Sequence, residues 1–144
     1  MRKIKRQNIL LLSAALLLLF VSCKKDVKNP IPDVYVNFYL NISSTLYIEL
    51  ASVGGWVNLT GGYKGIVVYR SSTDEFMAFE RACPYDWEVD SAYVSVEPSG
   101  LVLKCKSCGS EFLIIDGSIV NGPATVSLKQ YYTEYDGQNV HVYN

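Results

Sequence analysis

Cys105-Lys106-Ser107-Cys108-Gly109-Ser110-Glu111-Phe112 is the stretch on which the reading of this chain turns. Two residues separate its thiols, a Gly-Ser pair follows, and the apolar run Phe112-Leu113-Ile114-Ile115 comes next. A further thiol opens Cys83-Pro84-Tyr85-Asp86. Thiols in such loops are metal ligands or disulfide partners, and the strands around them decide whether the loops meet.

Working outward, the chain reads as short strands between turns. Val34, Val36, Phe38 and Leu40 alternate with Tyr35, Asn37 and Tyr39, the period of a half-buried strand. Leu46 to Leu50 is a further short run. Gly54-Gly55 and Gly61-Gly62 bracket Trp56-Val57-Asn58-Leu59. Gly65 to Arg70 reads as a buried strand whose hairpin partner is Phe76-Met77-Ala78-Phe79, across Ser71 to Asp74. Tyr93 to Val96 and Leu101 to Leu103 flank Glu97-Pro98-Ser99-Gly100 as a second hairpin. Phe112 to Ile115 and Ser118 to Val120 flank Asp116-Gly117 as a third. Leu128 to Tyr135 and Val140 to Tyr143 close the chain as a fourth. No stretch after residue 23 carries a helical period. The expectation is an all-β sandwich or barrel of antiparallel strands.

At 144 residues the chain is long enough for one domain with a real core. Four of its thirteen Lys and Arg residues are Arg2, Lys3, Lys5 and Arg6. Beyond residue 22 nine bases face fourteen acids, so the body is acidic and lacks the basic footprint that nucleic acid requires. The basic start is followed by an apolar run from Ile9 to Val21, short for a membrane span, and then Ser22-Cys23. This resembles a bacterial lipoprotein signal, with Cys23 as the lipidated first residue, although Phe20 stands where Leu is usual. The resemblance implies a bacterial cell envelope protein, anchored in the membrane through lipid, in the outer membrane. Each buried methylene of the anchor contributes about 0.8 kcal/mol. Residues 1–22 are the signal, 23–33 the lipidated Cys and a polar tether, and 34–144 the β domain. Lipidation leaves three thiols, an odd number that one disulfide cannot exhaust.

The order of the loops resembles a Rieske [2Fe–2S] domain. The residues that carry the likeness are Cys83-Pro84-Tyr85, Cys105-x-x-Cys108-Gly109-Ser110-x-Phe112, Asp116-Gly117, Gly122-Pro123-Ala124 and Leu128. It covers roughly residues 46 to 143, is strongest from Glu75 onward, and is similar to that of Rieske-like lipoproteins of the Bacteroidetes type. The fold so implied is a Rieske-like β sandwich or barrel with a small cluster-binding subdomain. Such domains carry Cys-x-His and Cys-x-x-His, two Cys on one iron and two His on the other. This chain has a single His, His141, in its last strand, so a normal Rieske centre is excluded by composition. Position by position, Cys83 and Cys105 match the Cys ligands, while Tyr85 and Cys108 stand at the His positions. Gly109, Ser110 and Pro123 match the residues that surround the cluster.

Three readings stay open. In the first, a [2Fe–2S] cluster or other iron centre is held by three thiolates, with Tyr85 as a phenolate ligand. The module is then an electron carrier that works with a redox partner protein rather than a complete enzyme. Thiolate and phenolate in place of imidazole add negative charge and should lower the potential toward the plant-type value of about −400 mV. They also remove the titrating groups of proton-coupled quinol oxidation. In the second, no cluster binds. Cys83 or Cys105 closes a disulfide with the other or with Cys108, stapling the fold by about 2–4 kcal/mol into a binding or structural lipoprotein. In the third, zinc is held by the three thiolates and one other ligand. Other residues offer less. His141 reads as a surface or half-buried strand residue, and Asp86, Glu88 and Asp90 read as a solvated face. No His lies near Ser110 in the implied fold to activate it as a nucleophile.

Overall fold

The computed structural model describes residues 28–144. The expected signal, the expected lipidation position Cys23 and the start of the expected tether lie outside the described residues. Ten strands run in chain order: β1 Asn37–Asn41, β2 Trp56–Leu59, β3 Ile66–Arg70, β4 Phe76–Glu80, β5 Val94–Val96, β6 Val102–Cys105, β7 Glu111–Leu113, β8 Ile119–Asn121, β9 Gln130–Tyr135 and β10 Asn139–Tyr143. They form two antiparallel sheets, one of six strands in the order β1-β10-β9-β4-β3-β2 and one of four in the order β5-β6-β7-β8. The all-β expectation holds, and the four hairpins fall where their turn residues place them. Among the described residues no helix is long and apolar enough to cross a membrane.

Strand β3 shows why the core takes this form. All five of its residues are buried. Successive side chains point to opposite faces, so Ile66 and Val68 join one apolar cluster and Val67 and Tyr69 another. The first cluster includes Leu40, Leu50, Phe76, Tyr131 and Val142. The second includes Phe79, Val94, Leu103, Phe112 and Ile114, and it also takes in Cys83 and Cys105. A strand apolar on both faces is thus the wall between the two cores, and the second core is the floor beneath the thiol loops.

Two elements depart from the sequence reading. Thr45–Ala51 is a 3-10 helix rather than a strand. Ser44 caps it by accepting from the Leu46 N–H, and the buried Arg70 guanidinium donates to the carbonyls of Leu50 and Ala51 at 3.0 and 2.8 Å. Capping and carbonyl satisfaction, rather than a pattern of apolar residues, hold this segment, and only Leu50 in it is buried. The third hairpin is also shorter than expected. β7 ends at Leu113 and the turn spans Ile114 to Ser118, because Ile114 folds into the second core while Ile115 faces solvent. At the start of the described residues, Ile31 is buried, Asn29 donates to the Ser127 carbonyl and Lys129 pairs with Asp33 at 2.7 Å.

Candidate metal centre

Strand pairing carries Cys83 to Cys105. Cys105 ends β6 and shares the inward face with Leu103. It lies opposite Val94 of β5. Just before β5, Ala82 bridges Tyr93 and the Cys83 N–H donates to the Ala92 carbonyl at 3.0 Å. The first thiol loop therefore folds back onto β5, and β5 sits on β6. Cys108 is delivered by a tight turn. The Gly109 N–H donates to the Cys105 carbonyl at 2.9 Å, and the Cys105 N–H to the Ser110 carbonyl at 2.8 Å.

The three sulfurs all lie within 4.8 Å of one another, and those of Cys83 and Cys108 are 3.5 Å apart. Cys83 and Cys105 are buried and Cys108 is half-buried, so the group opens to solvent on the Cys108 side. All three are free thiols. Burial pushes the Cys83 thiol up to about 12, against a hydrogen bond from the Tyr85 backbone that favours the thiolate. Burial acts in the same sense on Cys108, but hydrogen bonds from the Ser110 hydroxyl and N–H, and then from the other two thiols, bring it below the ordinary value.

Ser110 joins this turn to the next loop. Its buried hydroxyl lies 3.1 Å from the Cys108 sulfur and accepts from the Ala124 N–H at 3.1 Å, so its own proton is free for a Cys108 thiolate. Gly122 lies against it. A Cβ at Gly122 would stand 2.5 Å from the Ser110 Cα, and φ there is +101°. Pro123 is exposed, and the Gly-Pro-Ala loop contacts the site through Gly122 and Ala124. Tyr85 is 54% exposed, and it acts on Cys83 through its backbone, which favours the thiolate. His141 is half-buried in β10, stacked on Tyr39 with ring centroids 4.2 Å apart.

One positioning residue escaped the sequence reading. Glu80, wholly buried at the end of β4, accepts from the N–H groups of Tyr63, Lys64 and Ala82 at 2.6, 2.8 and 3.0 Å and from the Tyr131 hydroxyl at 2.8 Å. Burial and this carboxylate push the Tyr131 phenol up. Tyr63 in turn makes a T-shaped contact with Trp87, and the Lys64 ammonium donates to the Val89 carbonyl. Glu80 thus holds the segment that props the outer rim of the first thiol loop. The available signal was an acid directly after the buried run Phe76 to Phe79.

Three clustered thiols suit a borderline-soft metal. A [2Fe–2S] centre needs four protein ligands, and no His, Asp or Glu joins the three thiols among the described residues. Ligands of one tetrahedral ion, at metal–sulfur bonds of about 2.3 Å, lie roughly 3.8 Å apart. Ligands on two different irons are set further apart by the iron–iron axis. The observed spacing suits one ion better than a two-iron core.

No protein-family model matches the sequence, and neither does any curated protein. Solved structures do. The plasma membrane Rieske protein of the cyanobacterium Synechocystis PCC 6803 superposes with a TM-score of 0.54 at 19% identity, over 73% of this chain and 99% of that one. The ferredoxin of carbazole 1,9a-dioxygenase from Nocardioides aromaticivorans IC177 gives 0.51 at 16% identity, over 77% and 98%. At such identities the likeness is one of fold. The described residues of this chain carry the β fold of Rieske-type domains, with a three-thiol cluster where two of its loops meet.

Proposed function

We propose that this chain is a lipid-anchored envelope module whose Rieske-type fold carries a metal–thiolate centre for electron transfer. The observation that carries the reading is the convergence of Cys83, Cys105 and Cys108 within 4.8 Å on loops from opposite ends of the β4–β7 segment. Two buried thiols and a half-buried third give a centre insulated below and reachable on the Cys108 side, as exchange with a redox partner protein requires. The chain's own contribution is to hold these sulfurs. The Tyr85 and Ser110 backbones favour thiolate charge on Cys83 and Cys108, and Ser110 ties the centre to the Gly-Pro-Ala loop. Iron bound there would supply one-electron chemistry.

The occupant implied by the family resemblance is a [2Fe–2S] cluster with Tyr85 as fourth ligand, which requires the exposed Tyr85 ring to turn inward. The sulfur spacing favours a single ion instead. The anchor reading puts the lipid on Cys23 at the outer membrane, with a tether from Cys23 whose last residues, Asn29 to Asp33, pack on the domain. It rests on the basic, apolar, Ser22-Cys23 order of the first segment.

A chain purified under argon and analysed for metal tests the proposal. Bound iron with a reversible one-electron couple is the expected result. A colourless, metal-free protein with a single titratable thiol in the body would replace it with the disulfide-stapled scaffold, for which the 3.5 Å approach of Cys83 to Cys108 names the pair.

A further inference from the structure

We infer that Cys83, Cys105 and Cys108 form one face of a tetrahedral site for a single ion of the zinc and ferrous class, its fourth position open to solvent beside Cys108. The inference rests on the metal–thiolate reading above and narrows it to the number of ions and the ligand set.

Geometry argues for one ion. Three sulfurs on one tetrahedron are separated by edges of roughly 3.8 Å. Here the closest pair is at 3.5 Å and no pair exceeds 4.8 Å. The closest pair is also the informative one. Cys83 matches a ligand of one iron in the Rieske arrangement and Cys108 matches a ligand of the other, so a two-iron core would part them rather than bring them together. The short Cys108 side chain, in place of an imidazole, joins the other two thiols. Movement apart is resisted from both sides. The Cys108 sulfur is tied to Ser110, whose hydroxyl is held by the Ala124 N–H, and Gly122 lies too near Ser110 to admit even a methyl group. The Cys83 backbone is fixed to Ala92.

The fourth position follows from what is missing around the group. No carboxylate or imidazole belongs to it among the described residues. Ser110 already accepts one hydrogen bond and faces sulfur. The Tyr85 ring is turned to solvent. Cys108 is the only thiol of the three that solvent reaches, so a water or an added small donor completes the tetrahedron there. Three protein ligands with a fourth place open to water departs from the closed, four-ligand pattern of structural zinc sites.

Cobalt(II), titrated into the reduced, metal-free full chain in detergent, tests this. The expected result is saturation at one cobalt per chain, with the intense visible bands of a tetrahedral ion, sulfur-to-cobalt charge transfer, and displacement by one equivalent of zinc. Cys105→Ser and Cys108→Ser should each weaken cobalt binding by more than the 10–100-fold typical of a change outside the ligand set. Cys108→Ser that binds as tightly as the wild type would overturn the ligand set. Two irons and two acid-labile sulfides in the anaerobically purified wild type would overturn the single ion and leave the metal reading standing. Failure of the reduced wild type to bind cobalt, zinc or iron would overturn both.

Discussion

The resemblance to Rieske domains would put Cys108 and Tyr85 at the two His positions, and the structure treats the two residues differently. Cys108 turns toward two other thiols and lies 3.1 Å from the Ser110 hydroxyl. Tyr85 contributes its backbone and leaves its ring exposed. Cys108→Ser should therefore damage the metal centre far more than Tyr85→Phe, read from bound metal and the visible spectrum; equal losses would make Tyr85 a ligand. Cys83 supplies a pH test. Its thiol is pushed up to about 12 in the metal-free protein, so it is protonated at neutral pH and a metal must displace that proton. Affinity should rise with pH, by up to about tenfold per unit for each proton released. Competition titrations between about pH 6 and 9 would show it, and a flat profile would mean that binding displaces no thiol proton. At this scale the thiols and Gly109-Ser110 were legible because short-range spacing and turn chemistry place them. The direction of the Tyr85 ring was not, since it depends on how Pro84 and the rest of the first loop pack.

Elements deliver these residues, and two joints between elements carry the site. The first is Glu80 at the end of β4, which satisfies three backbone donors and a phenol. Glu80→Ala would leave all four buried or half-buried donors without that acceptor. A hydrogen bond to a charged group contributes about 1.5–3 kcal/mol, so a loss of at least about 3 kcal/mol is expected in chemical denaturation. Faster metal release should accompany it as the Tyr63–Lys64 prop loosens. The second joint is Gly122 against Ser110. Gly122→Ala combines a left-handed backbone, costing about 1–2 kcal/mol for a residue with a Cβ, with a 2.5 Å contact to the Ser110 backbone. Gly109→Ala shares the positive φ but meets open space, so it should cost only the backbone contribution. Thermal melts of the two variants compare them directly. Most strands were legible from alternation and turn residues. Thr45–Ala51 was not, because a 3-10 helix has no 3.6-residue apolar stripe, and five residues with two Leu and an Ile look like a short strand. The capping hydroxyl of Ser44 and the distant guanidinium of Arg70 decide it.

For the whole molecule, the basic and apolar first segment carries the proposed anchor, and the two sheets carry the thiol site. If Cys23 bears the anchor, Cys23→Ala should move the protein from the membrane fraction to the soluble one, with the β domain still folded. Continued membrane association would point to an uncleaved helix. The sequence by itself determined the all-β class, the hairpins and the candidate thiols, because alternation, turn residues and thiol spacing are local and survive without any tertiary contact. It also excluded a normal Rieske centre, because composition allows only one His. Only the tertiary structure decided that three thiols meet while Tyr85 stays out, that Glu80 is a buried joint, and that the spacing suits one ion. Those outcomes depend on β4 pairing with β9 across some fifty residues and on β5 laying the first thiol loop against β6. Contacts so distant in sequence leave no local signature, since each partner alone reads as an ordinary strand or loop residue.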